Sequence, residues 1–280
     1  MSATFHHPLM KYIRNWALPH THCSGCGNGT IAACFLRAVD QLGLDQDKMV
    51  CVSGIGCSGW IPSPLFDMDV LHTTHGRSIA FATGVKLTNP NLKVSVFTGD
   101  GDGAAIGANH LVQAARRNIG LTVTLVNNRL YGMTGGQVAP TTPKGTITAT
   151  TPFGSLERSF DLCELVRSAG ASYVARWTTY HLRRLTASMK ETLQKKGFSF
   201  IEVISHCPVQ YGRRVGMENP IAMLRWLKDA SVTLKKAEKM SEEELKEKII
   251  IGKFIDVEIP ELSESYTQLF RRLGYEAPGN

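Results

Sequence analysis

Five short β-branched runs, most of them apolar throughout, constrain this chain most: Met49 to Ser53, Val94 to Thr98, Leu121 to Val126, Tyr173 to Arg176 and Phe198 to Ile204. A strand with one wet face alternates, whereas a strand covered on both faces does not. Helical patterns separate these runs at Thr30 to Leu42, Ser78 to Leu87, Ala104 to Arg117, Leu156 to Ala169 and His181 to Lys195. The alternation predicts an α/β fold with a doubly wound, mostly parallel sheet. With 280 residues, 43% of them apolar, the chain can bury roughly three quarters of its unfolded surface. That argues against disorder and coiled coil. No apolar run reaches the ~18 residues of a membrane span. The opening MSATFHHPLMKYIRNW lacks the apolar core of a signal peptide, so a cytoplasmic protein is expected.

From Gly212 the texture changes, and Ala230 to Ile251 is a charged run in which Ser241 and Glu244 are spaced as a capping box. The expected organisation is an α/β domain over residues 1–211 and a helical extension over 212–280. The tail reads equally as a surface helix over the sheet edge or as a docking arm. The net charge is +7, and the final sixty residues hold ten basic against eleven acidic side chains. The excess therefore lies in the first 220 residues, which suits an anionic cofactor or an acidic partner.

Seven cysteines are too few for a disulfide scaffold and odd in number. Cys23 and Cys26 form a CxxC pair set among small residues. Cys57 follows the first strand within GIGCSG, and Cys207 follows the last within HCP. Carboxyl ends of strands in an open α/β sheet border the ligand crevice, so these four can meet there, and four thiols suit a [4Fe-4S] cluster. Cys34, Cys51 and Cys163 lie on apolar patterns and read as buried hydrophobes. GIGCSG also satisfies GxGxxG, but Pro62 and Pro64 stand where a dinucleotide-binding helix should propagate.

A second constellation runs from Gly99 to Gly103 (GDGDG) and resumes at Asn127 and Asn128. Strand, helix and strand over that distance bring two strand ends side by side, offering Asp100 and Asn128 as oxygen ligands to a hard cation such as Mg²⁺. The glycines let backbone approach a diphosphate at a helix N-terminus. This pattern resembles the thiamine-diphosphate-binding motif, which adds the main-chain carbonyl of Leu130 as a third ligand. Tyr131 to Gln137 follows as a candidate lid.

Together CSGCGNG, GIGCSGW, HTTHGR, GDGDGAAIG, NNRLYGMTGGQ and ISHCP resemble the β subunits of 2-oxoacid:ferredoxin oxidoreductases. SGWIPSP, LHTTHGR and GQVAPTTPKG point to the 2-oxoglutarate branch. The resemblance implies thiamine diphosphate with Mg²⁺ on Asp100, Asn128 and Leu130, and a [4Fe-4S] cluster on Cys23, Cys26, Cys57 and Cys207. It implies a cofactor lining of Ile55, Gly56, Cys57, Ser58, His75, Gly101, Asp102, Gly132 and Met133, with His72 as a rival to His75.

The implied reaction is oxidative decarboxylation of 2-oxoglutarate to succinyl-CoA and CO₂, with single electrons passing to ferredoxin. Some relatives carry a basic side chain where this chain has Trp60 or Gly135. The distal carboxylate then needs another cation: Arg77, Arg129, Lys144 or a partner's arginine, with Arg129 the expected one. The chain encodes no ferredoxin-like clusters and no second α/β domain, so an α subunit is expected, with further small subunits possible. Neither nucleic acid nor membrane is expected as a partner. Two alternatives remain: a pyruvate or branched-chain 2-oxoacid enzyme, or a zinc-binding interaction module built on Cys23 and Cys26.

Overall fold

The computed structural model describes residues 7–275; residues 1–6, part of the stretch read against a signal peptide, and residues 276–280 lie outside it. Eight strands form one sheet: β1 (Met49–Ser53), β2 (Asp69–His72), β3 (Lys93–Gly99), β4 (Leu121–Asn127), β5 (Tyr173–Thr178), β6 (Ser199–Ile204), β7 (Ser231–Thr233) and β8 (Ile249–Asp256). Their order is β2-β1-β3-β4-β6-β5-β8-β7. The first six are mutually parallel, β8 runs antiparallel to β5, and β7 is parallel to β8.

Helices cover both faces, as the mostly apolar runs require. On one side α1 (Gly27–Leu42) and, later in the chain, Leu182–Gln194 bring Phe35, Leu36, Leu185 and Met189 against Cys51, Phe97 and Ile201. On the other, α2 (Ser78–Thr88), α3 (Ala108–Arg117) and α4 (Leu162–Ser168) bring Ile79, Leu111 and Val166 against Val96, Val123 and Phe200. The Leu182–Gln194 helix is α5. Phe97 meets Phe35 edge-on at 5.0 Å and Phe66 at 5.8 Å. This aromatic knot lies just ahead of Thr98 to Asp100, and truncating such a ring costs about 3–5 kcal/mol.

The expected strands and helices are found, with differences at their ends. The helix anticipated from Ala104 begins at Ala108, because Asp100–Ile106 is a widened turn closed by the Gly107 N–H donating to the Asp102 carbonyl at 2.9 Å. The helix anticipated over 156–169 shrinks to α4, whose cap, Asp161, accepts from the Glu164 N–H.

The extension is only partly helical, which corrects the helical extension expected over 212–280, the charged run Ala230 to Ile251 included. After α6 (Pro220–Ala230) the chain forms β7, two single turns α7 (Leu234–Ala237) and α8 (Glu242–Leu245), then β8, and ends in α9 (Leu262–Arg272). The capping box at Ser241 and Glu244 exists, but it opens only the short α8. The β-branched run Ile249 to Ile251 wins over helical spacing because it pairs with Ser231 to Thr233 of β7 while Gly252 to Asp256 continue along the open edge of β5, and Ile249 and Ile251 bury against Leu227 and Ala230. The extension therefore continues the sheet. No helix among the described residues is long and apolar enough to cross a membrane.

Candidate active site

The carboxyl ends of β1, β3 and β4 open into one crevice, and the GDGDG turn forms its floor. Ile55, Gly56, Cys57, Ser58, His75, Gly101, Asp102, Gly132 and Met133 all line it, beside Asp100, Asn128 and Leu130. Its enclosed volume of about 70 Å³ suits a small charged group and is too small for a whole coenzyme.

Asp102 is buried and holds the crevice together. Its Oδ1 accepts the Gly76 N–H at 2.6 Å and the Ile55 N–H at 3.3 Å, while Oδ2 accepts the Thr98 hydroxyl at 2.6 Å. One carboxylate thus ties the ends of β1 and β3 to the turn before α2. A Cβ on Gly54 would fall 1.9 Å from Asp102 Oδ2, so only glycine fits. His75 Nδ1 lies 2.7 Å from Asp102 Oδ1, at ion-pair distance though not aligned for a hydrogen bond. Between the two histidines of HTTHGR the structure is unequivocal: His75 lines the crevice, and His72 Nδ1 pairs with the Ser53 hydroxyl at 2.8 Å.

Asp100 is fully enclosed. Its Oδ2 accepts the Thr141 hydroxyl at 2.6 Å and its Oδ1 the Gly101 N–H at 2.9 Å. Burial pushes this carboxyl up to about 7, even though Thr141 and backbone N–H groups favour its charged form. The inward end of the Asn128 amide stands 2.7 Å from the Leu130 carbonyl oxygen and 3.1 Å from Asp100 Oδ1. With its nitrogen inward it donates to both. With its oxygen inward it completes a set of three converging oxygens, which is the donor chemistry of a hard cation.

A second cavity, of about 330 Å³, adjoins the first and is lined by Cys23, Cys26, Cys57 and Cys207. Three elements deliver these thiols. Cys26 caps α1, Cys57 opens the short turn Cys57–Trp60 after β1, and Cys207 precedes the turn Pro208–Gly212 after β6. Asn28 Nδ2 donates to the Cys57 carbonyl at 3.0 Å, and the Gly27 N–H donates to the His206 carbonyl at 3.1 Å. A Cβ on Gly27 would strike the Ser205 hydroxyl at 2.2 Å. Burial, with repulsion from the neighbouring thiols, pushes Cys26 up to about 12 and Cys57 up to about 11. Among the described residues no three His, Cys, Asp or Glu side chains gather tightly enough for a single ion; the four thiols stand around a space instead. Cys57, Asn28, Asn128, Gly132 and Met133 belong to both cavities.

Arg129 is the one expected site residue that the structure does not bring to either cavity. Its guanidinium lies over the rings of Trp226 and Tyr211, at 4.8 and 5.5 Å. Arg77 is turned toward the Gly76 and Ile106 carbonyls. Sequence reasoning missed three supporting residues: Asn28, Thr141 and Arg214. The first two sit inside the quoted motifs CGNG and PTTP. Arg214, whose Nη2 donates to the Gly135 carbonyl at 2.7 Å, reaches the Tyr131 to Gln137 loop from 79 residues away and left no local signal.

Residues 54–203, more than half of the chain, match the family of the thiamine pyrophosphate enzyme C-terminal TPP binding domain. Fold and crevice thus define a thiamine-diphosphate-binding domain. The chain is 53% identical over 270 residues to the 2-oxoglutarate synthase subunit KorB of Methanocaldococcus jannaschii, covering 96% of this chain and 100% of that one. It is 54% identical over 257 residues to the subunit of that name from Methanothermobacter marburgensis, with 92% and 90% covered. A solved structure, the 2-oxoglutarate:ferredoxin oxidoreductase from Magnetococcus marinus with 2-oxoglutarate, coenzyme A and succinyl-CoA bound, matches with a TM-score of 0.85 at 30% identity, covering 98% of this chain and 94% of that one. The chain belongs to the β subunits of the 2-oxoacid:ferredoxin oxidoreductases, in the 2-oxoglutarate branch.

Proposed function

We propose that this β subunit, with an α subunit, oxidatively decarboxylates 2-oxoglutarate and transfers the succinyl group to coenzyme A, delivering electrons singly to ferredoxin in the cytoplasm. The observation that carries this reading is the position of Cys57, on the wall shared by the diphosphate crevice and the four-thiol cavity. The overall balance is 2-oxoglutarate, coenzyme A and two oxidised ferredoxins giving succinyl-CoA, CO₂, a proton and two reduced ferredoxins.

Thiamine diphosphate, when bound, supplies the carbon nucleophile and electron sink for decarboxylation, and a thiolate-bound [4Fe-4S] cluster accepts electrons one at a time. Asp100, Asn128 and the Leu130 carbonyl would hold Mg²⁺, and the oxygens converging there support that set. Cys23, Cys26, Cys57 and Cys207 would ligate the cluster. Four thiols line one cavity, and among the described residues no three of the His, Cys, Asp and Glu side chains gather tightly enough for a single ion, which favours a polynuclear group over the single zinc ion of the rival module. Asp102 keeps Ile55 and Gly76 at the crevice edge, and His75 stands beside it on the crevice wall. The small crevice supports a cofactor whose remaining surface is covered by the α subunit. The division into residues 1–211 and an extension from 212 places every one of these groups in the first part.

The test is anaerobic co-purification of the complex, with iron, sulfide and thiamine analysis and a panel of 2-oxoacids assayed with a low-potential acceptor. The expected result is iron and sulfide in equal amounts and preference for 2-oxoglutarate. Zinc without iron, or equal turnover of pyruvate, would defeat it.

A further inference from the structure

Arg129 stands between Asn128 and Leu130 with a φ of +69°, a region that a bulky L residue seldom adopts. Such a backbone persists only where its surroundings over-determine it. Here they do. The Arg129 N–H donates to Asn127 Oδ1 at 3.0 Å, and its carbonyl accepts the Thr142 hydroxyl at 2.6 Å. Its Nη1 donates to the Tyr211 hydroxyl at 3.1 Å, and its guanidinium lies over the Trp226 ring at 4.8 Å and the Tyr211 ring at 5.5 Å. Tyr211 lies in the turn after Cys207, and Trp226 lies on α6. Behind them Leu130, Tyr211 and Met223 form a buried cluster against which Cys207 packs.

We propose that the contact of Arg129 with Tyr211 and Trp226 is a clamp that aims the Asn128 and Leu130 oxygens at Asp100, so that Trp226 of the C-terminal extension helps to set divalent-cation affinity at the diphosphate crevice. Arg129 is then a positioning residue, not a substrate ligand. The inference rests on the Mg²⁺ reading above. Its physical basis is that the left-handed turn at Arg129 carries the Leu130 carbonyl inward, and the Arg129 side chain ties that turn to Trp226 on α6, beside the packing of Met223 on Leu130. Loss of partners that orient metal ligands typically weakens affinity 10–100-fold. Lysine retains the charge but cannot stack as a plane or bond Tyr211 in the same geometry.

The test uses the assembled complex carrying Arg129→Lys or Trp226→Ala. Mg²⁺ is titrated calorimetrically at saturating thiamine diphosphate, alongside iron and sulfide analysis and thermal melting. The expected result is a rise of about tenfold in the half-saturating Mg²⁺ concentration in both variants, with iron and sulfide unchanged. An unaltered Mg²⁺ requirement in both, even with a lowered melting temperature, would overturn the clamp and leave a merely structural role. Absence of Mg²⁺-dependent cofactor binding in the native complex would instead bring down the reading on which it rests.

Discussion

Single atoms decide the chemistry of this crevice. Asp102 makes three hydrogen bonds across two strand ends, and its space exists only because residue 54 has no side chain. Gly54→Ala is therefore expected to displace Asp102 and weaken thiamine diphosphate binding at least about tenfold, as a supporting contact would; calorimetric affinity within twofold of native would contradict this. The clamp proposed above gives Arg129 a positioning role. A residue that holds the loop serves every substrate alike, so Arg129→Lys should lower turnover of 2-oxoglutarate and of pyruvate by the same factor. Selective loss with 2-oxoglutarate, in steady-state assays of both, would return Arg129 to the distal carboxylate. Asp100 and Asn128 were legible in the sequence because strand, helix and strand fix the distance between strand ends. The destination of the Arg129 side chain was not, since Tyr211 and Trp226 lie 82 and 97 residues further along.

Among the elements, β4, β5 and β6 are locked by a buried polar network under the Asn127 turn. Arg176 on β5 pairs through Nε with Glu202 Oε2 on β6 at 2.6 Å and through Nη2 with Asp161 Oδ1 at 2.7 Å. Glu202 Oε1 accepts from Asn127 Nδ2 at 2.7 Å. Removing one partner of a buried pair strands the other, at about 3–5 kcal/mol. Arg176→Ala should lose that much in denaturant unfolding, and a change under about 1 kcal/mol would place the network at the surface value for ion pairs. Burial works to raise the Asp161 carboxyl, but Arg176 beside it outweighs burial and holds it below the usual range. A lowered folded-state value gives stability that is present above the ordinary carboxylate pKa of about 3.9 and is lost as pH falls through the folded value. Asp161→Asn should flatten the acid limb of thermal stability below about pH 4; an acid limb identical to native would refute the assignment. The strands of this network were visible as apolar runs. Its polar members were not, because nothing in the chain signals that Glu202 and Arg176 face each other across neighbouring strands.

At the scale of the whole molecule, the crevice encloses far less volume than a coenzyme needs, and its rim exposes Ile55 and Met133. The purified chain without an α subunit should turn over at least about a hundredfold more slowly than the complex, since a misplacement near 1 Å costs about 10²-fold; comparable rates with the chain by itself would refute the need for a partner. The sequence by itself determined the parallel core and the helices on both faces, and it put the candidate oxygen and thiol donors at strand ends, because mostly apolar runs and glycine-rich turns after strands admit few arrangements. Only tertiary structure decided that Ile249 to Ile251 joins the sheet, that His75 and not His72 faces the crevice, and that Cys57 belongs to both cavities. Those outcomes depend on which surfaces remain open once the other elements have packed, a competition between distant segments that local spacing does not encode.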